Sequence, residues 1–334
     1  MSETVLLNGT THGLRRICIG TVTRNRPLML KELLQSYAEM LVPEDVRLHF
    51  VIVENNDEPT LTDIVAAFRQ RVPQWTVQYE VEPRLGIAFA RNRVLECALD
   101  AGNDLLTFAD DDEFVASDWL IELLTERDSA DLDIVGSPVR VALPALDASY
   151  WEKLVWSGMD RRNRRGEIKA LYSRSLGQVD RIRIATGSWM GNLAFFRRTG
   201  LRFDNGLALA GGEDWRLWAD ARKLDAKTGW TPHAVAYETV PLDRLSLEYQ
   251  YRRSRDNTVV ALKAKLKKRR IMTLLRLPGS FIGRTISLFF YVAAIPFTRG
   301  ETLVRAILCV GSMAGLALAV FGRDSSHYNR ISGS

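Results

Sequence analysis

The chain has 334 residues, 46% of them apolar and 25% charged, with a net charge of +5. This length predicts one large α/β domain with an appendage, and the composition excludes a mainly disordered state. Three scattered cysteines, Cys18, Cys97 and Cys309, give neither a disulfide framework nor zinc-ligand spacing.

In chain order, the stretch from Met1 to Thr11 is polar and lacks the apolar core of a secretory signal, so the main domain is expected in the cytoplasm. Residues 16–22 read as a strand, and Leu28 to Met40 as an amphipathic helix opened by Pro27. A second strand, Val46 to Val53, runs into the polar turn Glu54–Asn55–Asn56–Asp57. A helix near Leu61 to Arg71 follows, then a strand from Trp75 to Val81 and a helix from Ile87 to Ala101. Strands separated by helices predict a parallel sheet wound by right-handed crossovers.

The fourth strand, Asp104 to Ala109, runs straight into Asp110–Asp111–Asp112–Glu113. Four consecutive carboxylates repel one another unless a cation sits among them. At a strand's C-terminal end they point to Mg²⁺ or Mn²⁺ shared with substrate phosphates. The competing reading is a solvated acidic turn, although Ser117–Asp118 is a better cap for the next helix, Asp118 to Glu126. After strand one there is no Gly-rich turn of the dinucleotide-binding or P-loop kind.

Further on, Asp133 to Val141 is read as one strand, and Arg161 to Gly166 as a mobile basic loop that either faces the acceptor or lipid or is simply solvated. The residues around Trp189 and Met190, together with the stretch from Leu143 to Val179, are expected to shape the substrate pocket. His233, next to Pro232, is read as a structural histidine. Gly211–Gly212 lead into Glu213–Asp214 and a helix through Arg222. That second acidic centre suits either a helix-start carboxylate or a general base working opposite a metal.

From Arg252 to Arg276 ten basic residues face one acid, Asp256, and apolar runs follow at 281–297 and 303–321. A basic segment leading into apolar helices predicts attachment to an anionic membrane surface rather than to nucleic acid. At 17 and 19 residues, the runs suit an interfacial hairpin as well as two spans.

Together these motifs resemble the family 2 glycosyltransferases, inverting enzymes of the GT-A fold, over roughly residues 14 to 260. The resemblance rests on Gly20 to Pro27, Val51 to Asn55, Arg84–Leu85–Gly86 with Ala90–Arg91–Asn92, Asp110–Asp111–Asp112, Gly191–Asn192 and Gly212–Glu213–Asp214. It is greatest to bacterial exopolysaccharide enzymes of the succinoglycan type. It implies a Rossmann-like, mostly parallel α/β sheet flanked by helices, with an apolar C-terminal helical segment associating with the membrane. The expected division is a tail at 1–13, the GT-A domain at 14–260, a basic juxtamembrane segment at 261–280, an apolar hairpin at 281–322 and a tail at 323–334.

The same resemblance implies the roles. Asp112, with Asp110, would hold Mn²⁺ or Mg²⁺. Thr21, Arg24, Glu54, Asn55, Asp57, Arg91, Asp110 and Asp111 would line the UDP-sugar site, and Arg252 and Arg255 would reach the leaving diphosphate. Asp214 would be the catalytic base, with Glu213 beside it. Where many processive relatives carry Gln-x-x-Arg-Trp, this chain has Gln250–Tyr251–Arg252–Arg253–Ser254, which argues against a processive synthase. The implied activity is transfer of a sugar, glucose favoured, to a lipid-linked oligosaccharide at the cytoplasmic membrane face. The alternatives are a non-catalytic membrane scaffold and a metal-dependent nucleotidyltransferase.

Overall fold

The computed structural model describes residues 14–184, 187–207, 212–298 and 300–321. The expected terminal tails, Thr186 and Gly211 lie outside them.

The first half follows the predicted alternation: β1 (Arg15–Thr23), α1 (Pro27–Glu39), β2 (Val46–Glu54), α2 (Thr62–Arg71), β3 (Thr76–Val81), α3 (Ile87–Asp100) and β4 (Leu105–Phe108). After β5 (Glu113–Val115) and α4 (Trp119–Ser129) come β6 (Ile134–Gly136), β7 (Val139–Val141), α5 (Tyr150–Ser175), β8 (Trp189–Asn192), α6 (Leu193–Thr199), α7 (Glu213–Lys223), β9 (Thr228–Trp230) and β10 (Ala236–Glu238). The chain closes with α8 (Leu247–Ala294) and α9 (Glu301–Val320).

Seven strands form one sheet in the order β3-β2-β1-β4-β8-β6-β9. Pairing is parallel from β3 to β4 and between β6 and β9, while β8 runs antiparallel to both its neighbours. Helices cover both faces, so β2 is buried at every position but one, as a doubly covered parallel strand must be. Because the order reverses between β1 and β4, their carboxyl ends flank the crevice where such sheets bind ligands.

Two sequence expectations fail here. The strand expected over 133–141 is two strands in different sheets, since Pro138 cannot donate to a ladder and β7 instead joins β5 and β10. The expected basic loop is the middle of α5, a 26-residue helix started by a Ser149–Glu152 capping box. Arginine is a good helix former, and the helix is held by Arg164 on Asp160 at 2.7 Å, Arg165 on Glu301 at 2.9 Å and Arg140 on Glu167 at 2.5 Å.

α8 breaks at Arg269 (φ −149°, ψ 67°). On its first arm Ser254 donates to the Leu308 carbonyl at 2.6 Å, and on its second arm Arg284 donates to Ser312 at 2.7 Å. Further along, Leu262 and Leu316 belong to one buried cluster, against which Leu277 of the second arm packs. Residue numbers rise along one arm and fall along the other as α9 advances, so the arms are antiparallel and α9 packs on both. A Cβ at Gly311 or Gly315 would collide with the backbone oxygens of Tyr251 and Arg255, so both glycines permit this close approach.

Candidate active site

The turn after β1 carries Asn25 in the left-handed region (φ 53°), a conformation that asparagine tolerates well. It is followed by Arg26, whose guanidinium meets Asp111 at 2.7 Å and Asp112 at 3.2 Å. Arg244 approaches Asp112 from the other side at 3.5 Å. Burial, opposed by Arg26, pushes the Asp111 carboxyl up to about 6. Burial and then the charge of Asp110 raise Asp112, and burial with Asp110 and Asp112 raises Glu113 well above the usual carboxylate range. Glu238, at the end of β10, is raised by burial and then by Asp112. These acids disfavour one another's ionised forms, the environment a divalent cation would relieve.

α3 delivers Arg91, which is 2% exposed. One of its nitrogens meets Asp110 at 2.5 Å and the other meets Glu213 at 2.5 Å. Desolvation works against its charge, but Asp110 and Glu213 hold its pKa above the ordinary arginine value. Gly212, at φ 89°, adopts a backbone conformation that L side chains rarely take and starts α7 with Glu213 and Asp214. Glu213 is buried; Asp214 is partly exposed and accepts from the Trp215 N–H at 2.6 Å. Asp110, Asp112, Glu113, Glu213, Asp214 and Glu238 all line one cleft of about 640 Å³.

The residues expected at the nucleotide are placed differently. The Thr21 hydroxyl is buried against Tyr37 at 3.2 Å. Glu54 accepts from Asn56, from both the backbone and hydroxyl of Thr60, and from the Tyr79 hydroxyl, so its carboxylate clasps the turn after β2. Asn55 donates to the Glu82 and Arg84 carbonyls at 2.7 and 2.8 Å and accepts from Gly86 N–H at 2.8 Å. Asp57 is exposed. Arg24 is partly buried, with its Nε lacking a partner among the described residues. None of these five lines the cleft.

Arg252 pairs with Glu248 at 2.5 Å and Arg255 with Asp256 at 2.8 Å; Arg253, between them, is the one that faces the cleft. Trp189 and Met190 are core residues at 1% and 0% exposure, so the expectation that they shape a pocket fails: β8 lies inside the sheet. His233 is exposed and lies outside the cleft lining. Sequence reading missed Arg26, Arg244 and Glu238 as cleft residues, whereas Met159 falls in the stretch 143–179 expected to shape the pocket. Only Arg26 carried a signal, as the second arginine of the short turn between β1 and α1.

No three His, Cys, Asp or Glu side chains among the described residues form a ready cage for a metal. The donor chemistry still fits a hard cation that takes one or two carboxylates and completes its shell with phosphates and water, with Asp112 and Asp110 as the protein's share.

A doubly wound sheet with an acidic cluster at its switch-point strand, facing a second acidic centre that opens a helix, defines the GT-A class of glycosyltransferases. The chain belongs to glycosyl transferase family 2, whose model matches residues 18–192. It is 30% identical over 324 residues to the succinoglycan biosynthesis protein ExoM of Rhizobium meliloti (strain 1021), covering 92% of this chain and 94% of that protein. The mannosyltransferase PcManGT of Pyrobaculum calidifontis, solved with GDP-Man and Mn²⁺, shares the fold at a TM-score of 0.59 and 15% identity, over 94% of this chain and 89% of that one.

Proposed function

We propose that this glycosyltransferase moves a sugar, glucose favoured, from a UDP-sugar to a hydroxyl of a lipid-linked oligosaccharide. The setting is exopolysaccharide synthesis at the cytoplasmic membrane face. The observation that carries this reading is Arg91, which ties the acidic cluster after β4 to the acids opening α7 across one cleft. The similarity to a protein of succinoglycan biosynthesis supports the pathway class.

Asp214 lines the cleft with no ion pair within 4 Å among the described residues, which suits a carboxylate that accepts a proton from the acceptor hydroxyl. The acceptor oxygen forms its bond to the anomeric carbon as the bond to the nucleoside diphosphate breaks, and the proton passes to Asp214. A single displacement inverts that carbon, so an α-linked donor gives a β-linkage. Mn²⁺ or Mg²⁺ on Asp112 and Asp110 would supply Lewis-acid stabilisation of the departing diphosphate. Arg91 positions both acidic centres, and Arg253 presents a cation to the same cleft.

Two helical segments, Arg269–Phe297 and Glu301–Val320, are long and apolar enough to cross a membrane. Their packing favours an interfacial position instead. α9 lies along the first arm of α8, which carries Arg252, Arg253, Arg255 and Lys265, and charges at mid-membrane depth are costly. The second arm exposes Ile271, Leu275 and Phe289 at 76%, 73% and 72%, a face suited to the headgroup–acyl boundary.

The test measures UDP and UDP-sugar binding with and without Mn²⁺ for wild type, Asp112→Ala and Asp214→Ala. Metal-dependent UDP binding lost only in Asp112→Ala supports the division of roles. Absence of uridine nucleotide binding with every metal would overturn it.

A further inference from the structure

A second concavity, about 850 Å³, lies among the two arms of α8, α9 and α5. It adjoins the catalytic cleft, sharing Gln250, Arg253 and Asn257 with it. Its lining includes Arg162, Arg253, Lys265, Arg269 and Arg276, none of which has a carboxylate within 4 Å among the described residues. Arg284 at its wall is held by the Ser280 and Ser312 hydroxyls rather than by an acid. The Arg162 guanidinium is held below the ordinary arginine range by desolvation and then by the like charge of Arg253, with Glu238 opposing. These five exposed cations outnumber the one acid among the described residues whose charge reaches them, Glu238, which acts on Arg162 and Arg253, and such an excess of positive charge in one concavity favours a multiply charged anion.

The rest of the wall is aliphatic: Leu262, Met272, Leu277, Leu308 and Leu316. A soluble nucleotide has no use for such a surface. An anionic membrane would meet the outward apolar face of the second arm, not a groove that opens into the catalytic cleft.

We propose that this groove seats the carrier of the acceptor, a lipid diphosphate, with its phosphates on the basic wall and its chain along the leucines. The proposal rests on the transferase reading and deepens it by naming where the acceptor lipid binds. The groove's junction with the cleft would place the first sugars of the carrier toward Asp214. The break at Arg269 contributes to the site, because it folds the basic first arm back over the apolar second arm.

The experiment titrates farnesyl diphosphate into the purified full chain in detergent, alongside UDP with Mn²⁺. The variants are Arg269→Gln/Arg276→Gln, the matching double lysine variant, and Lys265→Gln on the other arm. Expected results are an affinity for farnesyl diphosphate at least tenfold weaker in the double glutamine variant, a smaller loss in Lys265→Gln, retention in the lysine pair and unchanged UDP affinity throughout. Inorganic pyrophosphate should bind at least tenfold more weakly than farnesyl diphosphate, and phosphatidylglycerol added in mixed micelles should not displace it. Equal binding by the double glutamine variant overturns the proposal. So does pyrophosphate binding as tightly as the lipid, which would mean a phosphate site without a lipid part, or displacement by the phosphatidylglycerol micelles, which would mean a general anionic-lipid patch. Farnesyl diphosphate binding at these residues without any UDP binding would fail the transferase reading while leaving the groove assigned. UDP binding without farnesyl diphosphate binding would do the reverse.

Discussion

Replacing Arg91 with methionine removes the cation that joins the two acidic centres while keeping side-chain length. The Arg91–Glu213 pair is buried on both sides, at 2% and 7% side-chain exposure, and breaking such a pair leaves an uncompensated charge at a cost of about 3–5 kcal/mol. The Asp110 side is 38% exposed, so solvent screening limits its share to about 1 kcal/mol or less. In a domain of this size each kcal/mol moves the melting temperature by about 2–4 °C, so Arg91→Met should lower Tm by about 6–24 °C. Adding Glu213→Gln removes the stranded charge and should recover at least half of the loss. Thermal unfolding followed by circular dichroism, with Mn²⁺-dependent UDP binding measured on the same samples, checks both. An Arg91→Met Tm within 2 °C of wild type, or a double variant no more stable than the single one, would refute the bridging argument.

Asp214→Asn should reduce sugar transfer by at least 10²-fold while leaving UDP affinity intact, measured by UDP release against equilibrium binding. His49 hydrogen-bonds Gln78 and Asn103, and burial holds its pKa below the ordinary 6.5. The unfolded chain then binds more protons, so stability is lost as pH falls through 6.5; urea melts at pH 5 and 7.5 should show this slope, and His49→Gln should flatten it. Phe289→Ser/Phe290→Ser removes two exposed rings, 72% and 63% accessible, and at about 1.5–3 kcal/mol per buried ring should weaken vesicle partitioning at least tenfold in a sedimentation assay. Gly315→Val forces a side chain into the Arg255 carbonyl and should destabilise by about 1–3 kcal/mol, read as a lower midpoint in chemical denaturation.

Much of the fold was legible because it is written in local patterns. Apolar runs of strand length alternate with helical periodicity through residue 129, and the acids after β4 follow directly from the strand that carries them. The family motifs stood in the same order. Charge clustering and apolar length also announced the C-terminal segment, although not its geometry. The reading failed where a residue's role depends on partners distant in sequence. Arg91 and Glu213 are 122 positions apart, and Arg26 and Asp111 85 apart; no local pattern marks such a pair. Glu54 opened the expected polar turn after the second strand, yet its oxygens are taken by Thr60 and by Tyr79 from the neighbouring strand. The arginines of α5 resembled a solvated loop because charge density alone does not distinguish a helix stabilised by ion pairs from a coil. The sequence by itself determined the wound sheet, the acidic cluster at its switch point and the basic-to-apolar tail, since each follows from periodicity and composition. Only the tertiary structure decided which acids share a cation, which arginine of 252–255 faces the cleft, and that α8 reverses at Arg269 to build a basic groove beside it. Those outcomes depend on packing between segments far apart along the chain, where burial and electrostatic pairing act through space.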